Sequence, residues 1–167
     1  MRILKPKLEA FITGPLPIPP SVFIPREDRF AMNLIYKPRD DSFSIAGAVW
    51  KPGQTTPIHD HLTWAMVGTY SGQEREALFR RLDDGSDPAM ARLEKVSERT
   101  NTKGHVTVLG SSGIHRVDNL GAEPALSIHV YGRDIGPTER HAYDPVTGQI
   151  SKFVSGYCNV IRDPDDY

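Results

Sequence analysis

Short apolar runs, broken again and again by fourteen glycines and fourteen prolines, leave this chain little room for long helices and favour an all-β domain. Strand-like runs follow one another from Phe30: Phe30 to Lys37, Ser42 to Trp50, Thr63 to Ser71, Glu74 to Leu82, Ala91 to Ser97, His105 to Leu109 and Pro124 to Tyr131. Asp83-Asp84-Gly85-Ser86-Asp87-Pro88 reads as a loop, and Asn101-Thr102-Lys103-Gly104 and Asn119-Leu120-Gly121 read as tight turns. Many short strands at such spacing predict a sandwich or barrel of the double-sheet jelly-roll group. Six prolines between Pro6 and Pro25 predict an irregular Pro-rich arm over residues 1–29, in which only Pro6 to Ile12 has room for a helical turn or two. Residues 30–160 then form one domain, and 161–167, ending Asp163-Pro164-Asp165-Asp166-Tyr167, a frayed tail. Trp50 and Tyr36 read as core.

A length of 167 residues suits one hydrophobic core. Twenty basic against twenty-one acidic residues give no nucleic-acid footprint. No apolar run approaches the roughly 18 residues of a membrane span. Arg2, Lys5, Lys7 and Glu9 stand where a signal peptide needs apolar residues, so the expected location is the cytoplasm. A single cysteine, Cys158, rules out an intrachain disulfide and a cysteine-built zinc site, so any metal chemistry falls to the six histidines.

Residues two apart in a strand share a face, so in Pro57-Ile58-His59-Asp60-His61 both imidazoles point one way and Asp60 the other. His59 and His61 can therefore share one ion. His115, in Gly113-Ile114-His115-Arg116-Val117, is a third candidate that a barrel would bring beside them. Two histidines on a strand face are more often surface or hydrogen-bonded residues, so the spacing alone leaves both readings open. In Ala125-Leu126-Ser127-Ile128-His129-Val130-Tyr131, strict alternation puts Leu126, Ile128 and Val130 on one face and Ser127, His129 and Tyr131 on the other. That polar face is either solvated or lines a site.

The surrounding residues resemble the two signature segments of the cupin superfamily. The first is matched by Gly53, His59, His61 and Gly72 at their fixed offsets, with Ala65 where many cupins have a ligating Glu. The second is matched by Gly104, His115 and Asn119, with Gly110 and Ser112 where Pro and Gly are usual. The resemblance implies a double-stranded β-helix with His59, His61 and His115 as the metal set. Three neutral imidazoles cancel none of a dication's charge and leave open positions for an anionic substrate atom such as a thiolate or enolate. They also suit Zn, Ni or Cu. From Phe30 to Gly148 the chain is similar, more narrowly, to cysteine dioxygenase and its thiol dioxygenase relatives, on the stretch Gly113 to Asn119, on Glu123 to Tyr131 and on His141-Ala142-Tyr143-Asp144-Pro145-Val146-Thr147-Gly148. That similarity implies one Fe(II) per chain, O2 as co-substrate, and a Ser127, His129, Tyr131 relay beside the iron.

Two departures bear on substrate. Met32, in Phe30-Ala31-Met32-Asn33-Leu34, occupies the place of the Arg that grips the carboxylate in cysteine dioxygenase, or of the Gln in mercaptopropionate dioxygenases. Ala65 and Met66 lie where animal enzymes have the Cys that cross-links to the Tyr. Arg140, nine residues after Tyr131, is either a surface charge or, as in mercaptopropionate-type relatives, an Arg reaching the site mouth. Trp64 either walls the pocket or is a core or rim residue. His105 and His141 read as surface or structural. The resemblance thus implies a non-haem iron enzyme, monomer or homodimer, oxidising a small carboxylate-bearing thiol to its sulfinic acid. A three-His cupin cleaving a carbon substrate such as a diketone, and a non-catalytic cupin binding module, are the rivals.

Overall fold

The computed structural model describes residues 1–160; the tail 161–167, read as frayed from its composition, lies outside the described residues. A helix, α1 (Leu4–Thr13), precedes eleven strands: β1 (Ala31–Tyr36), β2 (Ser44–Trp50), β3 (Ile58–Asp60), β4 (Ala65–Ser71), β5 (Gln73–Arg81), β6 (Leu93–Thr102), β7 (Val106–Leu109), β8 (Ile114–Asp118), β9 (Ala125–Tyr131), β10 (Arg140–Tyr143) and β11 (Ile150–Phe153). All the pairings are antiparallel, in a five-stranded sheet ordered β1-β2-β9-β4-β7 and a six-stranded sheet ordered β11-β10-β3-β8-β5-β6. This is the expected double-stranded β-helix. Both sheets contribute side chains to the cavity between them.

The alternation in β9 sets the layering. Ile128 and Val130, with Met66 of β4 and Val106 of β7, face away from the cavity and form an apolar cluster with Leu8 and Ile12 of α1. The polar positions Ser127, His129 and Tyr131 are turned inward and buried. The arm is therefore a cover for an apolar sheet face, and its first half is helical rather than irregular. Pro6 sits in the first turn of α1, where a missing N–H costs nothing because it would have no intrahelical partner. The fit of helix to sheet is close at Gly68, where a Cβ would lie 2.9 Å from Ile12 Cδ1.

The strands match their sequence-predicted runs to within a few residues, with two exceptions. β6 continues to Thr102, so the turn expected at 101–104 is shifted to a bond from His105 N to Thr102 O (3.0 Å), with Gly104 at φ +90°. β10 and β11 form a hairpin that the apolar runs do not announce. Trp50 is buried and stacked on Phe30. Tyr36, expected in the core, is 53% exposed, because the β1–β2 register slips between Leu34 and Tyr36 and turns its side chain outward.

Candidate metal centre and its cavity

The register of β3 against β8 sets His59 directly opposite His115, and His61, one residue past the end of β3, brings its ring to the same side. The three rings stand 4.7 to 5.0 Å apart, centroid to centroid. One nitrogen from each, all within 4.8 Å of one another, can meet on a single ion.

The outer bonds of two ligands fix which nitrogen is offered. His59 Nδ1 donates to the Pro57 carbonyl (2.9 Å), and His115 Nδ1 donates to Glu76 Oε1 (2.9 Å). Both acceptors lack protons to give, so Nε2 is the free, basic atom in each ring. His61 is buried with neither ring nitrogen hydrogen-bonded. A buried imidazole with two unsatisfied nitrogens is costly unless a ligand takes a lone pair, and this is the observation that best fits a metal. Burial, then neighbouring His115, holds the His59 and His61 pKa values well below the usual imidazole range, which keeps both rings in the neutral, ligating form.

Glu76 has a network of its own. Its Oε2 accepts from Thr107 Oγ1 (2.6 Å), Asn101 Nδ2 (3.0 Å) and Arg99 (3.3 Å). Burial alone would raise this carboxyl, but the bond and charge interaction with His115, helped by Thr107 and Asn101, bring it down to about 2. It is a fixed carboxylate behind a ligand. Asp60, on the opposite face of β3 as the alternation requires, accepts from His141 Nδ1 and the Tyr143 hydroxyl, both at 2.8 Å. That pairing ties β3 to β10 and accounts for His141 as a structural residue.

Beside the three histidines, Ser127 Oγ lies 2.7 Å from His129 Nε2, and His129 Nδ1 lies 2.7 Å from the Tyr131 hydroxyl. The three residues that alternation sets on one face are thus buried and hydrogen-bonded in series. Tyr131 meets His61 edge to face at 5.1 Å and pairs across β4 with Ala65, whose small side chain leaves that neighbourhood free of a carboxylate. Burial pushes the Tyr131 hydroxyl above the usual phenol range and holds His129 down to about 3, so both are neutral.

A tight cavity of about 10 Å³ opens against this cluster. Phe30, Met32, Trp50, Val117 and Phe153 supply apolar walls, and His59, His115, His129, Tyr131 and Arg140 the polar ones. Met32, 4% exposed, lines the wall and brings no charge to it. Arg140 lies deeper than a site-mouth residue. It is 2% exposed, donates from Nη2 to Ser155 Oγ (2.7 Å), stacks 4.6 Å above Phe153, and leaves Nε without a partner. No carboxylate forms an ion pair with it among the described residues. Trp64 is not a pocket wall. It packs with the outer apolar cluster, and its ring lies so close to the backbone of Gly132 that a Cβ there would fall 2.2 Å from Nε1. A larger groove of about 540 Å³ on the other side of Ile58 is lined by Asp83, Asp87, Met90 and Asp144, but those carboxylates are bonded to backbone amides of their own loops, and none of the three ligands reaches it.

Glu76, Glu74, Ser155 and Phe153 are not singled out by the sequence. For the two glutamates a signal exists: in Glu74-Arg75-Glu76-Ala77-Leu78 the charges fall on the same alternate positions as Leu78, which marks carboxyls on an inward face.

Among solved structures, the chain is similar to the TT1209 protein of Thermus thermophilus, with a TM-score of 0.51 and 17% identity over 68% of this chain and 91% of that one. It is also similar to a conserved protein with a double-stranded β-helix domain from Klebsiella pneumoniae, with a TM-score of 0.52 and 13% identity over 66% and 78% of the two chains. At these identities the likeness is one of fold. The sequence itself matches the family model described as cysteine dioxygenase type I over residues 32–146.

Proposed function

Because the chain belongs to the cysteine dioxygenase type I family, we propose that it is a non-haem iron(II) dioxygenase that oxidises a small, carboxylate-bearing thiol to its sulfinic acid. The observation that carries the substrate class is Arg140, a buried guanidinium with no carboxylate partner among the described residues, facing the same cavity as His59 and His115. A charge held out of water calls for a counter-charge. A mercapto acid bound there brings one at its carboxylate and a second anion at its sulfur. The apolar walls of Met32, Trp50 and Phe153 suit a short aliphatic chain between them.

When bound, iron(II) would supply the Lewis-acid and redox chemistry for joining a thiol and O2. His59, His61 and His115 would hold it, and Glu76 and the Pro57 carbonyl fix the ring orientations of His115 and His59. Arg140 orients the acid end of the substrate. Tyr131 supports a donor hydrogen bond at the reacting end, with His129 and Ser127 aligning it. The reaction balances without a reductant: the thiol sulfur gives up four electrons, O2 accepts them, and both oxygen atoms end on sulfur.

The test is oxygen uptake by iron-loaded protein across a panel of mercapto acids, cysteine, cysteamine and diketones. Mercaptopropionate or a similar acid is expected to be fastest, with a product carrying two added oxygen atoms by mass spectrometry. Uptake with diketones alone would overturn the thiol assignment.

A further inference from the structure

The relay behind Tyr131 does not end at Ser127. Glu74 of β5 lies beside its far end, 1% exposed, with Thr69 Oγ1 donating to Oε2 at 3.3 Å and Thr69 paired directly opposite Ser127 in the β4–β9 register. Its Oε1 has no hydrogen-bond partner. The neighbours on the elements packed against it are Thr69 on β4, Asn101 opposite on β6 and Ser127 on β9, all uncharged. Among the described residues the charged group acting on it is Glu76, of the same sign, along its own strand. Nothing among the described residues stabilises a negative charge at this position except two hydroxyls. Burial first, then the charge of Glu76, push the carboxyl up to about 8.

The hydrogen-bond chemistry of the chain gives that carboxyl a consequence. His129 is neutral, so one ring nitrogen donates and the other accepts. Ser127, His129 and Tyr131 therefore form a chain in which every bond points the same way, and the partner at the Ser127 end decides which way. We propose that Glu74 is a positioning residue that sets the direction of the relay: protonated, it donates to Ser127, which donates to His129 Nε2, so that His129 Nδ1 donates to Tyr131 and the Tyr131 O–H is free to point into the cavity. Ionised, Glu74 accepts from Ser127, each bond reverses, and Tyr131 donates back to His129 and shows the cavity only lone pairs. The interconversion balances as one proton passed per link. Glu74 gives its proton to Ser127, Ser127 to Nε2, and Nδ1 to the phenol oxygen, while the phenol proton leaves on the cavity side. The net change is one proton from Glu74 to the cavity, with no redox step. The role assigned to Tyr131 rests on the proposed function; the direction of the chain does not.

The measurement is the tautomer of His129, read from imidazole 15N shifts in the full chain loaded with diamagnetic zinc, from pH 6 to 10. Nδ1 is expected to carry the proton at pH 6 and Nε2 at pH 10, and in Glu74→Gln, which cannot ionise, the tautomer is expected to stay the same throughout. A wild-type tautomer constant over this range, or one that changes equally in Glu74→Gln, would overturn the proposal. In iron-loaded protein, turnover of mercaptopropionate is expected to fall at least tenfold across the same transition, and Glu74→Gln to lack that alkaline limb. An alkaline limb with the same midpoint in both proteins counts against Glu74 while leaving the dioxygenase reading intact. Absence of turnover with every thiol overturns that reading instead, and the tautomer still decides the role of Glu74.

Discussion

Replacing Arg140 with Met removes the guanidinium while keeping an unbranched side chain of similar length in the cavity wall. In the folded protein this guanidinium, which has five N–H groups, makes a single side-chain hydrogen bond, to Ser155, and its Nε has none. Most of its donors are therefore available to a bound carboxylate. Truncating one partner of a buried, hydrogen-bonded charge pair costs about 2 to 5 kcal/mol. At about 1.4 kcal/mol per factor of ten, that is roughly a 30- to 4,000-fold loss in kcat/KM for a mercapto acid. The loss is expected mainly in KM, because the carboxylate end takes no part in bond making. Cysteamine, which has no carboxylate to pair, is expected to change by less than about threefold, so the preference between the two substrates collapses or inverts. Stability runs the other way. Burial already depresses the Arg140 pKa, a sign that the charge is poorly tolerated where it lies, and an apolar replacement relieves that cost at the expense of the stacking on Phe153, worth about 0.5 to 2 kcal/mol. The Tm is expected to hold or rise. Oxygen-electrode kinetics with both substrates, alongside a thermal melt, make the assay. Equal losses for mercapto acid and cysteamine, or no loss for either, would refute the reasoning.

Changing His59, His61 or His115 to Ala is expected to lower metal content from near one ion per chain to under about a tenth by elemental analysis, whereas His141→Ala, whose partner is Asp60, retains it. Glu76→Gln keeps the ligands but loses the carboxylate charge behind His115, and metal titration is expected to show about 10- to 100-fold weaker binding. Tyr131→Phe is expected to keep the metal and the KM while slowing turnover by about 10- to 1,000-fold, and the intact mass of the wild type is expected to show no thioether on Tyr131, since Ala65 and Met66 supply no thiol. Glu74 holds its proton up to about 8 when folded but gives it up near the ordinary carboxyl value of 4.5 when unfolded, so its stabilising contribution is full below 4.5 and lost as pH rises through 8. The Tm of Glu74→Gln relative to the wild type is therefore expected to increase from pH 5 to pH 8 in paired melts.

What is legible in the sequence is whatever two-residue alternation encodes. His59 in β3 and His61 one residue past its end bring their rings to the same side, and Ser127, His129 and Tyr131 share a face because β9 is extended. Residues whose role depends on a partner far along the chain leave no local trace. Arg140 is buried because Phe153 and Ser155, on and just after the next strand, close over it, and nothing in the few residues around Arg140 encodes that. The apolar pattern ends β6 too early because it is an edge strand with both faces mostly wet, so Leu93 to Thr102 shows charge without alternation. The helix in the arm is longer than its composition suggests because Pro6 counts against a helix in composition but not at the position it holds.

The inverted polarity of β9 explains how one small barrel stays folded around a polar interior. His61, Arg140 and Glu74 are buried with unsatisfied atoms, and each such atom costs about 1 to 3 kcal/mol. A sheet whose inner face carries that load needs its apolar contacts elsewhere, and the outer face of the five-stranded sheet has them. Met66, Val106 and Ile128 pack against Leu8 and Ile12, with Phe23 and Trp64 at the margin of the cluster. Along β9 the two roles therefore alternate residue by residue. Ile128 and Val130 hold the cover, while Ser127, His129 and Tyr131 hold the chemistry. The arm contributes no residue to the cavity wall, yet it is the element that lets the inner face remain polar.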